Sequence, residues 1–103
     1  VPHAHFICPK GDHIEAVKMP NFTSGIWDIS ESDAKALVGG MMYFHETKKM
    51  PSYFGGQVTG YRLVEGHKRK KPYIVFEMTA MLEGRGQSWT GKVHSRARYS
   101  IVL

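Results

Sequence analysis

The sequence predicts a mainly β fold of the α+β class, a small curled β-barrel or sheet closed by one short helix. Three observations lead there. Short apolar segments with period-two alternation recur along the chain, and one segment only, Ser30 to Val38, carries a cap and a helical period. Glycine pairs at Gly39-Gly40 and Gly55-Gly56 bracket an apolar strand and its elbow, and Gly60 marks a bend or close backbone approach in the next strand, which would help a sheet curl. The order of strand, strand, helix, then four strands lacks the alternation of a βαβ architecture.

Taken in order, Ala4 to Cys8 (AHFIC) reads as a first strand, stopped by Pro9 and the turn residues Lys10-Gly11-Asp12. His13 to Lys18 is a second strand with a weak period of two, ended by Met19-Pro20-Asn21. Asn21 to Gly25 reads as a turn-rich connection, and Ile26 to Ile29 as an apolar patch leading into the helix. Ser30 is the N-cap: its hydroxyl can accept from the backbone N–H of Asp33, while Glu31 and Asp33 place negative charge at the positive end of the helix dipole. Ala34, Leu37 and Val38 share one face, and Gly39-Gly40 ends the helix.

Met41 to His45 (MMYFH) is apolar on both faces, as a buried strand should be, and Glu46 to Pro51 is a polar excursion. Gln57 to Val64 forms the next strand, bent at Gly60. Glu65 to Lys71 is a charged hairpin loop, after which Tyr73 to Ala80 is the clearest strand, with Ile74, Phe76 and Met78 toward the core. Met81 to Gly91 reads as a glycine-rich loop holding Trp89, and Lys92 to Leu103 as a last strand.

At 103 residues the chain predicts a single domain. No apolar run reaches the roughly 18 residues of a membrane span, and no secretory leader is visible. One cysteine, Cys8, excludes an internal disulfide framework and makes the cytoplasm the expected compartment. Fourteen Lys and Arg against nine Asp and Glu give a net charge of +5, which favours polyanionic partners.

Lys92, His94, Arg96 and Arg98 recur at every second residue and would line one side of the last strand. At about 3.3 Å per residue that makes a basic stripe about 20 Å long. Phosphates along a nucleic-acid strand match such a row; a solvated strand face protecting a sheet edge has the same pattern. Lys68 to Lys71 adds charge at a hairpin tip. Among the aromatics, Phe44 and Phe76 belong to the core, whereas Tyr53-Phe54, Trp89 and Trp27 are candidates for a stacking site or for packing. His3, His5 and Cys8, with His13 or His94, are metal-ligand types whose spacing fits no zinc pattern, so no metal is expected. Glu46, Thr47 and Lys48, beside His45, offer a base, a hydroxyl and a cation for hydrolysis. No nucleophile elbow, phosphate loop, zinc-protease or dinucleotide signature is present.

The succession of capped helix, Leu37-Val38-Gly39-Gly40, strand Met41 to His45, basic elbow and Gly55-Gly56-Gln57-Val58 resembles the PUA-like superfamily, including its EVE and ASCH members. The resemblance implies a curled barrel that holds a base, often a modified one flipped from a duplex. It makes Trp27, Ser52, Tyr53 and Phe54 pocket residues and gives Lys48, Lys49, Arg96 and Arg98 to phosphates. ASCH-type relatives also imply a hydrolase acting on modified nucleosides, through Lys48, Thr47 and a carboxylate such as Glu46 or Glu77.

The expectation is therefore a non-enzymatic module binding DNA or RNA, with no cofactor and no membrane association. A base would lie among Trp27, Ser52, Tyr53, Phe54 and Trp89, and the backbone along Lys48, Lys49, Lys92, His94, Arg96 and Arg98. A nucleoside hydrolase and a domain that binds an acidic protein are the alternatives.

Overall fold

The structure, a computed structural model, describes residues 2–9, 14–66, 71–90 and 99–102. The basic stripe Lys92, His94, Arg96 and Arg98, the residues Lys68 to Lys70 and His13 lie outside the described residues. The elements are β1 (His3–Ile7), β2 (Ile14–Lys18), β3 (Asn21–Trp27), α1 (Glu31–Leu37), β4 (Met41–His45), β5 (Phe54–Val64), β6 (Tyr73–Ala80) and β7 (Tyr99–Val102).

These strands make one seven-stranded sheet in the order β2-β3-β6-β5-β4-β1-β7. Neighbours are antiparallel except β1 and β4, which run parallel with His5 beside Tyr43 and Ile7 beside His45. The structure is mainly β with one helix, as expected, but the sheet is not closed into the expected barrel. Register shifts at Ala16/Lys18, Ser24/Trp27 and Val58/Gly60 bend the strands. Closure would require the edges to pair, and β2 and β7 stand at opposite ends of the order.

The third strand differs from the sequence reading. Asn21 to Gly25 has the small polar residues of a turn, yet β3 is a strand running antiparallel to both β2 and β6. Its inward residues are Phe22, Ser24 and Trp27, all buried, with the register shift restoring Trp27 to the inner face. Trp27 Nε1 donates to Ser24 Oγ at 3.0 Å, so the two polar groups in this part of the core satisfy each other.

The helix begins as its cap predicts, with Ser30 Oγ accepting from the Asp33 backbone N–H at 3.2 Å. Ala34 and Leu37 are fully buried, but Val38 leaves the helical conformation and is 42% exposed, so it does not share their face. The chain turns through Gly39 at φ +88°, a left-handed conformation that favours glycine. Tyr61 Oη donates to Glu31 Oε2 at 2.9 Å and ties the helix to β5.

Alternation divides each strand between two faces of the sheet. Ala4 and Phe6 of β1, Met42 and Phe44 of β4, Val58 of β5 and Ile74, Phe76 and Met78 of β6 form the core with α1. Complete burial of Phe6, Phe44 and Phe76 contributes about 1.5–3 kcal/mol each. The other face of β1 and β4 carries a different kind of residue.

Candidate functional site

On that second face, period two brings up His3 and His5 from β1 and Tyr43 and His45 from β4. Parallel pairing sets the two rows side by side, and the rings gather around His5. Its centroid lies 5.4 Å from His3, 4.9 Å from Tyr43, 5.0 Å from His45 and 5.8 Å from Trp89. His5 is 2% exposed and His45 is fully buried.

Two hydrogen bonds fix the protons of this cluster. His45 Nδ1 lies 2.9 Å from the Met50 carbonyl oxygen, which can only accept, so His45 donates from Nδ1. The neutral His45 ring must then accept at Nε2, where His5 Nδ1 approaches to 2.8 Å. His5 therefore carries its proton on Nδ1 and presents a lone pair at Nε2. Burial, followed by the neighbouring His45 and His3, lowers the His5 pKa to about 4, which keeps the ring neutral near pH 7. Burial also lowers the His45 pKa, against the opposing effect of its bond to Met50. Tyr43 is pushed up by burial and by nearby Glu83.

The cluster is covered by the segment that follows β6, a single 3₁₀ turn at Leu82–Gly84 and the irregular residues up to Thr90, which bring Trp89 against His5 and His45. Ser52 fastens this strap. Its hydroxyl donates to Gly84 O at 2.7 Å and accepts from Gln87 N at 3.0 Å, while its backbone N–H donates to Gln87 O and its carbonyl accepts from Gly86 N, both at 2.8 Å. The strap can lie so close because two glycines meet: a Cβ on Gly84 would come within 2.4 Å of the Gly55 backbone. Held this way, Trp89 sits against His45 with centroids 5.3 Å apart, and Lys48 Nζ lies 5.5 Å from the Trp89 ring centroid. Trp89 Nε1 and Thr90 Oγ1 are buried with no hydrogen-bond partner among the described residues.

Of the expected base-pocket residues, the structure brings only Trp89 to this face. Trp27 packs on Phe6, centroids 4.5 Å apart, on the core side of the sheet, so Trp27 and Trp89 are not opposite walls of one pocket. Phe54 lies against Phe22 at 4.7 Å and belongs to the core cluster. Tyr53 packs against the same core and donates its hydroxyl to the Cys8 carbonyl. Ser52 is 4% exposed and is occupied by the strap.

Among the cations, Lys48 is half-buried at the cluster and Lys49 is exposed in the same turn. Glu46 and Thr47 share that turn, closed by Met50 N donating to Thr47 O at 3.3 Å. Glu77 is not with them: it lines a separate cleft of about 310 Å³ with Asn21, Thr23, Thr59 and Thr79. Among the described residues, no group of three or more His, Cys, Asp or Glu side chains converges as a metal site.

The residues that sequence reasoning did not join are His5, His45 and Tyr43. The signal was present as His3-x-His5 and Tyr43-x-His45, two rows of period two, but their adjacency depends on parallel pairing across 40 positions. No protein-family model matches the chain, and neither a curated protein nor a solved structure matches it.

Proposed function

We propose that the chain is a nucleic-acid-binding module of the PUA-like kind, in which Trp89 is the stacking platform for a base and Lys48 meets the adjoining phosphate. The observation that carries this reading is the placement of the Lys48 ammonium 5.5 Å from the centroid of the partly exposed Trp89 ring. The ammonium lies over the ring, and a cation at an aromatic surface is the pairing that a base and its phosphate use. Lys49 in the same turn and the net charge of +5 support it. The aromatic surface of this reading is Trp89, backed by the buried His5 and His45, in place of Trp27, Tyr53 and Phe54.

Titration of labelled single-stranded RNA and DNA, with and without modified bases, tests the proposal. Affinity falls linearly on a log–log plot as salt rises. Trp89→Ala costs about 1–3 kcal/mol of binding, and Lys48→Ala reduces the salt slope by about 1. Absence of binding to every oligonucleotide at low salt, or binding unchanged by both substitutions, overturns it.

A further inference from the structure

Stacking on Trp89 gives the His5–His45 pair no role, yet the way the pair is bonded leaves it one place for a further proton. His45 gives its Nδ1 proton to the Met50 carbonyl and takes the His5 Nδ1 proton at Nε2, so both of its nitrogens are engaged. An added proton goes to His5 Nε2, which has no hydrogen-bond partner among the described residues. His5 is 2% exposed, and the Trp89 ring of the strap lies 5.8 Å from it. The new charge would be shut away from water by the strap.

The strap is fastened unevenly. All four of its bonds to Ser52 fall on Gly84, Gly86 and Gln87, and the Gln87 side chain adds a fifth tie by donating to Glu83 O at 3.1 Å. Beyond Gln87, no hydrogen bond holds Ser88, Trp89 or Thr90 among the described residues, and two buried polar atoms there, Trp89 Nε1 and Thr90 Oγ1, lack partners. Each is destabilising while the strap is down and is satisfied by water once it lifts. Gly86, at φ +78° and with no atom within 4 Å of a Cβ built on it, stands beside the last fastened residue and can absorb the turn. We propose that Ser88 to Thr90 form an acid-opened flap: a proton taken up at His5 Nε2 lifts them from the histidine pair and bares the Trp89 ring, while Ser52 keeps the rest of the strap in place. The flap goes beyond the binding reading and does not rest on it, since its opening needs no nucleic acid.

The charged and titratable groups facing the pair are His3 on β1, Tyr43 on β4, Lys48 in the turn and Glu83 on the strap, and β7 sets the uncharged Ser100 beside His5. A charged imidazole near an indole gains some cation–π attraction, but desolvation wins. Burial, followed by His45 and His3, holds the closed His5 at about 4 against 6.5 for an open imidazole. Proton uptake therefore raises the ratio of open to closed flap by at most about 300-fold. The sign is that of a lowered base: the closed form is at full strength above pH 6.5 and loses ground as pH falls toward 4. Such a factor falls short of the folded-to-unfolded ratio of about 10³ or more in a small domain. It opens a segment held by few bonds before it unfolds the sheet.

The test follows Trp89 in the full chain carrying Trp27→Phe, which leaves a single indole. Emission and acrylamide quenching are read from pH 7.5 to pH 4, with far-UV circular dichroism alongside. The expected result is a reversible red shift and a rise of about twofold or more in the quenching constant while the sheet signal holds. Its midpoint falls between pH 4 and pH 6.5. His5→Phe, which removes the titrating group, abolishes the transition. Emission and quenching unchanged down to pH 4, or a change that coincides with loss of the far-UV signal, overturns the flap. A transition that survives His5→Phe overturns it too. Should a variant fail to fold, nuclear magnetic resonance of the unaltered chain decides: the His5 imidazole and Trp89 indole resonances titrate together if the flap exists, and separate midpoints overturn it.

Discussion

His5 Nδ1 lies 2.8 Å from His45 Nε2, and because His45 gives its own Nδ1 proton to the Met50 carbonyl, the proton between the two rings belongs to His5. One backbone carbonyl thus dictates the tautomers of two buried side chains. Burial of His5, followed by the neighbouring His45 and His3, makes the stability of the fold sensitive to acid.

The sign follows from the direction of the shift. His5 falls from 6.5 to about 4 on folding, so the unfolded chain binds its proton first as pH drops. Stability is complete above pH 6.5, declines as pH falls toward 4 and levels off below. The loss approaches about 3 kcal/mol over that window, and the lowered His45 pKa acts in the same direction. Thermal unfolding between pH 4 and pH 7.5 measures it, and His5→Gln flattens the profile.

Ser52→Ala removes both bonds of a buried hydroxyl, leaving Gly84 O and Gln87 N without that partner. The expected cost is about 1–3 kcal/mol. Because the strap carries Trp89, its fluorescence shifts to the red in a Trp27→Phe background. An unchanged spectrum would show that Ser52 does not hold the strap.

Two glycines of the strap should respond differently. Gly84→Ala drives a Cβ to 2.4 Å from the Gly55 backbone and costs about 1–3 kcal/mol or more. Gly86→Ala meets no atom within 4 Å and carries only the strain of φ +78°, about 1 kcal/mol. Comparing the two denaturation midpoints checks the close approach.

Ser24→Ala removes the hydroxyl that accepts from the buried Trp27 Nε1–H and costs about 1–3 kcal/mol. Nucleic-acid affinity stays unchanged, since Trp27 faces the core. A loss of affinity at constant stability would return Trp27 to the binding site.

Much of the fold could be read where a local signal sufficed. Ser30, Glu31 and Asp33 announce a helix start through short-range chemistry, and β4 and β6 have the bounds their apolar patterns predict. The bend at Gly60 coincides with a register shift. β3 was obscured because Asn21, Thr23, Ser24 and Gly25 have turn chemistry, and only pairing on both sides makes the segment a strand. The site was harder to read for a related reason. Adjacent aromatics such as Tyr53 and Phe54 invite a shared role, but sheet parity and strand order decide which residues meet, and the partner of His5 lies 40 positions away.

The place of β1 has a kinetic consequence. It lies between β4 and β7, so β7 reaches the sheet only through β1, and β1 reaches it only through β4. Contacts of such long sequence separation form late, after the loops that join them have closed. The histidine pair straddles the β1–β4 seam and comes together only when that seam is sealed. Any activity that depends on the pair therefore belongs to the finished molecule and is absent from partly assembled intermediates.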